Sequence, residues 1–282
     1  MTYPETDLTM STTDPVEGHT AKAFDAALSD LRMQVVAMGG LVIDQVSTAA
    51  RALLDDAALA DLVLSREARV NELERSVDRE AFRLIALHQP MAGDLRMAKA
   101  VSRITVELER AGDESKKIAK FAARLATGEP QGPVRAVARY LRHMAELTAG
   151  MLRDAVRAFD EADVPLAQRV SARDSELDAE FAAALRQLLT LAMQDQRFLG
   201  ATIDTVFALK GLERIGDHAK NIAEKWCSWR AAKTSGTRRE NPAALRPSNP
   251  LPDFAPRYSL NSSLMLTFAR VCASTRFTIT AQ

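Results

Sequence analysis

The sequence predicts an all-α protein made of two repeated three-helix bundles, six long helices packed together, and three observations carry that prediction. Aromatic residues are only 5% of the 282, with Gly 12 and Pro 11, while 47% of the chain is hydrophobic. Ala, Leu, Arg and Glu recur, which is the composition of helical bundles rather than of sheets. Apolar residues return at alternating threes and fours, the period of one helix face. Finally, the stretch Leu-Glu-Arg-Ala-Gly-Asp-Glu-Ser-Lys-Lys-Ile-Ala-Lys (Leu108 to Lys120) comes back as Leu-Glu-Arg-Ile-Gly-Asp-His-Ala-Lys-Asn-Ile-Ala-Glu (Leu212 to Glu224). Independent helices would rarely share so many matched positions, so the two stretches mark a duplicated unit.

Residues 1 to 18 mix Thr, Ser, Asp, Pro and Gly without periodicity and read as a mobile leader. The first repeat, 19 to 128, opens with Phe24, Leu28, Leu31, Val35, Met38, Val42, Val46, Ala49 and Leu53 on one stripe of a long helix. Inside it, Gly39 and Gly40 cost roughly 1 kcal/mol each relative to Ala, which close approach of a neighbouring helix would explain. After a break at Asp55-Asp56, a second helix from Leu59 to Leu87 carries Val63, Val70, Leu73, Val77, Phe82 and Ile85. It ends at His88-Gln89-Pro90, because proline removes a donor and disfavours helix in the residue before it. The third helix opens at Asp94 and runs to Ala126. Thr127-Gly-Glu-Pro-Gln-Gly-Pro133 is a linker. The second repeat, 129 to 224, restarts the pattern: Val134 to Phe159, Pro165 to Met193 with proline in the first turn, and Arg197 to Glu224.

Formal net charge is +0, so no global field draws in nucleic acid, and no basic stripe with interleaved aromatics occurs. No nucleic-acid partner is expected. The two cysteines, Cys227 and Cys272, can neither staple a small fold nor form a metal knuckle, which fits a reducing cytoplasm. No run of about 18 apolar residues and no signal peptide occurs, so a soluble protein is expected. No Gly-rich phosphate loop, Ser/His/Asp set or reactive-cysteine context is visible, so no enzyme is expected.

Four acidic pairs stand at matched places. Glu109 with Asp113 and Glu213 with Asp217 lie on the third helix of each half; Glu74 with Asp78 and Asp174 with Asp178 lie on the second. Each pair is four apart, so both carboxylates share a face with Cβ atoms about 6 Å apart, and like charges there oppose helix formation by a few tenths of a kcal/mol. One explanation is salt bridging to Arg75, Arg110, Arg173, Arg214, Lys116 and Lys117. The other is metal binding, in which facing helices supply four hard oxygen ligands suited to iron, manganese, magnesium or calcium. No Glu-x-x-His tetrapeptide occurs, which argues against ferritin-like chemistry. His19, His88, His143 and His218 share no ligand spacing. Gly112 and Gly216, between the acids of their motifs, read as close-packing positions.

Leu-Glu-Arg-x-Gly-Asp-x-x-x-x-Ile in both halves, Met-Gly-Gly-Leu-Val in the first helix and His-Gln-Pro-Met-Ala-Gly-Asp-Leu-Arg before the third together resemble the PhoU family over residues 20 to 224. The resemblance implies a cytoplasmic accessory protein of bacterial phosphate transport, peripheral to the inner membrane through its partners and assembled as a homodimer. Those partners would be the transporter ATPase PstB and the sensor kinase PhoR, through which the Pst transporter and the phosphate-starvation response are restrained. The family's Glu/Asp-x-x-x-Asp signature falls on the eight acids above. In some members it holds multinuclear metal clusters, so divalent or ferric ions (iron, manganese, magnesium or zinc) are the implied cofactors. A carboxylate metal-storage bundle and a generic helical adaptor are the competing readings.

The resemblance stops after Glu224. Where the family continues an apolar helix and closes with Asp-Val-Arg-His, this chain reads Lys225-Trp-Cys-Ser-Trp-Arg-Ala-Ala-Lys-Thr-Ser-Gly-Thr-Arg-Arg-Glu240. Permitted codons for that stretch, read in a shifted frame, spell Val-Val-Phe-Met-Ala-Gly-Gly-Lys-Asp-Val-Arg-His-Thr-Ser-Arg. The sequence therefore predicts a frameshift near Lys225, an atypical disordered tail over 225 to 282, early fraying of the last helix, and no function for Cys227 or Cys272.

Overall fold

A computed structural model describes residues 15–90, 92–127 and 132–235. Seven α-helices follow in order: α1 Pro15–Leu54, α2 Leu59–His88, α3 Ala92–Thr127, the single-turn α4 Gly132–Ala136, α5 Ala138–Glu161, α6 Val164–Gln194 and α7 Leu199–Ser235. A 3-10 turn, Gln196–Phe198, precedes α7, and no strand occurs among the described residues. All of them belong to one packed unit.

The helix ends follow local chemistry. Asp56 Oδ1 accepts from the Ala58 amide at 3.0 Å in the turn between α1 and α2. Gln89 adopts a left-handed φ of 44° before Pro90 and donates back to the Ile85 carbonyl, closing α2. Asp163 caps α6 by accepting from the Leu166 amide at 2.9 Å, with Pro165 in the first turn as expected.

Differences from the sequence reading have physical causes. Helix α1 begins at Pro15, inside the stretch read as leader, and the rest of that leader lies outside the described residues. The helix expected from Val134 is interrupted at Val137, whose φ of −108° and ψ of 12° separate α4 from α5. Phe82, assigned to the apolar stripe of α2, is 74% exposed. Helix α7 continues past Glu224 to Ser235 instead of fraying there. Residues 236–282, including Cys272, lie outside the described residues.

Helices α1, α2 and α3 pack as one half, and α5, α6 and α7 as the other. The halves meet through α3 against α7, the most extensive helix pair, and through α1 against α5, while α2 and α6 pack chiefly within their own halves. A central four-helix layer thus carries an outer helix on each flank. The crossing of α3 and α7 is antiparallel: Phe121 stacks on Phe207 with centroids 5.8 Å apart, while Glu107 at the other end meets His218. The α1 stripe of Leu31, Val35, Met38, Val42 and Val46 is fully buried, and each such side chain contributes about 1.5–3 kcal/mol. A Cβ on Gly39 would stand 2.7 Å from Val156 of α5, so this glycine lets the halves approach.

Among the described residues, α1 over Lys22–Leu54 is long and apolar enough to cross a membrane by length and composition. Its apolar stripe, Leu31 to Leu53, is buried in the core of the bundle.

Candidate functional site: two carboxylate faces

The antiparallel neighbours α2 and α3, and likewise α6 and α7, bring the acidic pairs of each half together. In the second half three of the acids, Asp178, Glu213 and Asp217, are raised together. Burial raises the Asp178 pKa and Asp174 adds to it. Glu213 is raised by burial, with Asp217 and Asp178 contributing, although Lys210 pulls the other way. Asp217, whose side chain reaches solvent, is raised by desolvation of its carboxylate and by Asp174 and Asp178. Two lysines bracket the group: Lys210 Nζ donates to Glu213 Oε1 at 2.5 Å and Lys220 Nζ to Asp174 Oδ2 at 2.5 Å. Glu213 Oε2 is buried without a hydrogen-bond partner among the described residues.

The first half differs in one member. Glu109 is raised by burial and then by Asp113, Glu74 and Glu67. Asp78 stands apart and accepts from Ser102 Oγ at 3.0 Å. Glu67, absent from the sequence reading, takes its place: it is 5% exposed, and burial and the neighbouring Asp113 carboxylate raise its pKa. Lys116 Nζ lies 3.3 Å from Glu67 Oε1 and 3.6 Å from Asp113 Oδ1, while Glu67 Oε2 has no partner among the described residues. The available signal was spacing, since Glu67 lies seven residues before Glu74 on the same stripe of α2. The equivalent residue of α6 is Ala167, so the two faces are not identical.

Salt bridging as first envisaged accounts for little of this. Arg214 and Lys117 pair with Glu114, Arg110 reaches Glu107 at 4.0 Å, Arg173 pairs with Asp154, and Arg75 donates to the Asn71 carbonyl. Only Lys116, of the six cations considered, serves an acidic pair, joined by Lys210 and Lys220. Among the described residues no three Asp, Glu, His or Cys side chains converge closely enough to hold an ion. What each face does hold is one buried carboxylate oxygen without a hydrogen-bond partner among the described residues, Glu67 Oε2 in the first half and Glu213 Oε2 in the second, beside acids whose ionised forms burial and like charge oppose.

Gly112 and Gly216 do the packing work expected of them. A Cβ on Gly216 would lie 2.2 Å from Leu177 Cδ2, and one on Gly112 would lie 3.3 Å from Gln45 Oε1 and 3.4 Å from Val70. Each glycine thus brings its acidic pair against the core of its own half.

A second polar group sits between the halves, where sequence reasoning had no access. Glu107 of α3 accepts from Lys225 Nζ at 2.6 Å and Asn221 Nδ2 at 3.1 Å, and its Oε2 lies 2.8 Å from His218 Nδ1, all on α7. Burial opposes its ionised form, but His218, Lys225 and Asn221 outweigh burial and carry its pKa down to about 2. His218 is therefore a partner of Glu107 rather than a member of a carboxylate face.

A duplicated all-α bundle that repeats one acidic signature in each half, with the signature glycine buried and the acids outward, defines the class of the protein. Residues 35–122 and 141–226 each match the family described as PhoU domain, and the chain belongs to that family. It is 41% identical over 214 residues to the phosphate-specific transport system accessory protein PhoU homolog of Pseudomonas aeruginosa, covering 75% of this chain and 86% of that one. Identity to the accessory protein PhoU of Escherichia coli is 35% over 207 residues, covering 73% and 84%. The crystal structure of PhoU from Pseudomonas aeruginosa superposes with a TM-score of 0.69 at 40% identity, covering 74% of this chain and 99% of that one. The phosphate transport system regulatory protein PhoU from Streptococcus pneumoniae gives 0.65 at 25% identity, covering 73% and 96%.

Proposed function

We propose that the chain is a regulatory accessory protein of phosphate transport that works by binding. In this reading it sits at the cytoplasmic face of the inner membrane on the transporter ATPase PstB and the sensor kinase PhoR, as a homodimer. There it restrains the Pst transporter and holds the phosphate-starvation response off when phosphate is plentiful. The observation that carries the reading is the match of both halves to the PhoU family, alongside relatives named as accessory proteins of phosphate-specific transport. Co-purification with tagged PstB and tagged PhoR from membranes, with and without phosphate, tests it. Recovery of both partners is expected, and recovery of neither would overturn it.

A second reading, metal binding at the carboxylate faces, is favoured by the buried, unpartnered oxygens of Glu67 and Glu213. Asp174, Asp178, Glu213 and Asp217 would hold an ion in one half, and Glu74, Glu109 and Asp113 with Glu67 in the other, with Asp78 at the margin. An iron, manganese, magnesium or zinc ion there supplies the positive charge that the crowded carboxylates lack. Elemental analysis of protein purified without chelator, beside a Glu109→Ala/Asp113→Ala/Glu213→Ala/Asp217→Ala variant, decides it. Equal background metal in both would sink the idea, whereas the transport reading would stand.

A further inference from the structure

The exposed face of Phe82 has no role in either reading. It belongs to a groove of about 670 Å³ between the end of α2 and the start of α3, with Ala81, Ala98 and Ser102 among its lining residues. Phe82, 74% exposed, and Leu95, 43% exposed, rise on opposite helices, with Ile85 between them and the core. Arg79 of α2 and Lys99 and Arg103 of α3 line this strip, and Arg96 continues the α3 row along the neighbouring groove beside α7. Among the described residues these four make neither an ion pair nor a hydrogen bond. Asp78, at one edge of the groove, accepts from Ser102, and Glu80 is 3.8 Å from Arg83. On the far side of the α3 cations, Glu224 of α7 borders a shallower groove without pairing with them.

We infer that the α2–α3 groove is a docking site for an acidic amphipathic helix of a partner protein. Charge complementarity selects the occupant: four cations unpaired among the described residues, in a chain of zero net charge, stand beside exposed apolar side chains. Spacing selects its shape. Arg96, Lys99 and Arg103 are three and four residues apart, a row about 10 Å long at 1.5 Å per residue. An approaching helix presents acids at the same i, i+3, i+7 spacing beside its own apolar stripe. The small side chains of Ala81, Ala98 and Ser102 leave room for helix axes to approach within about 8–10 Å. An anionic membrane surface shares the charge preference but has no use for a concave groove. The inference stands on this surface and is independent of the phosphate reading.

The test uses the full chain and a fluorescein-labelled 18-residue helical peptide with Leu on one face and Glu beside it. A matched peptide with Lys for Glu is the control, together with vesicles of phosphatidylcholine with and without phosphatidylglycerol. The wild-type chain is expected to bind the Glu peptide and not the Lys peptide. Arg96→Glu/Lys99→Glu/Arg103→Glu should weaken the Glu peptide at least about tenfold and gain binding to the Lys peptide. That gain also shows that the variant is folded. Phe82→Ser should weaken the Glu peptide about tenfold without changing the charge preference. Absence of binding to either peptide, equal binding to both, or retention only by phosphatidylglycerol vesicles would each overturn the proposal.

Discussion

Glu107 shows how much one buried carboxylate can matter when its partners come from the other half of the molecule. Its pKa of about 2 in the folded chain lies below the ordinary 4.5. The stabilisation is therefore complete above about pH 5.5 and is lost as pH falls through 4.5 towards 2, a linkage on the order of 3 kcal/mol. Urea midpoints measured at pH 7 and pH 3.5 should fall steeply for the wild-type chain. For Glu107→Gln they should start lower and fall less; parallel losses would show that Glu107 does not hold the halves together. Gly216 is the other residue whose identity the structure dictates. Gly216→Ala drives a Cβ into Leu177, which stands 2.2 Å away, and should cost about 1–3 kcal/mol. Gly40→Ala has no atom within 4 Å and should gain up to about 1 kcal/mol through helix propensity. Denaturant melts of the two variants, expected to move in opposite directions, separate close packing from mere tolerance of glycine.

Among the helices, α7 is where sequence and structure pull hardest against each other. Trp226, the last residue of the second family match although the sequence motifs stop at Glu224, is 1% exposed and meets Phe159 edge-on with centroids 5.4 Å apart. Its indole Nε1 is buried without a hydrogen-bond partner among the described residues, which is the signature of an apolar fit without polar selection. Trp226→Ala should cost about 3–5 kcal/mol, whereas Trp226→Phe should be neutral or stabilising, because it removes an orphaned donor worth about 1–3 kcal/mol. Thermal melts of the two variants check this, and re-reading the gene tests the shifted frame. Cys227 beside it has a thiol pushed up by burial and by Glu224, which lowers its thiolate fraction. Most helices were legible because a period of three and four is a local property: the α1 stripe from Leu31 to Val46 is the buried one. Phe82 was misplaced because periodicity tells which residues share a face and not whether another helix covers it. The continuation of α7 was not legible because nothing before Glu224 announces what the following residues will bury. The acidic pairs were legible as pairs, since spacing of four is local, but their company was not. Glu67 joins the first face and Lys210 the second only once antiparallel helices are in register.

At the scale of the molecule, the two carboxylate faces lie on opposite flanks of the central four-helix layer, α2–α3 on one side and α6–α7 on the other. Neither shares a ligand with the other, so their energetic effects should add. Carboxylates with raised pKa values disfavour folding at neutral pH, and the sign is fixed: the penalty fades as pH falls through the raised values, or as a cation arrives. Chelator-treated Asp178→Asn should therefore melt above the wild-type chain at pH 7, because Asp178 is raised by burial and by Asp174 and makes no ion pair among the described residues. Added manganese should then raise the wild-type Tm, since an ion bound only by the folded chain at about 100 times its Kd contributes about 2.7 kcal/mol per site. For a unit of this size that is roughly 5–10 °C per face. Asp178→Asn/Asp217→Asn should keep only the gain of the first face, Glu109→Gln/Asp113→Asn only that of the second, and the fourfold variant none. A full gain in the fourfold variant would place the ion elsewhere. Unequal gains in the two partial variants would follow from what distinguishes the faces: one cation, Lys116, already serves the acids of the first, whereas two, Lys210 and Lys220, serve those of the second. The first face should on that account bind the ion more tightly, although the repeated signature alone makes the two look alike.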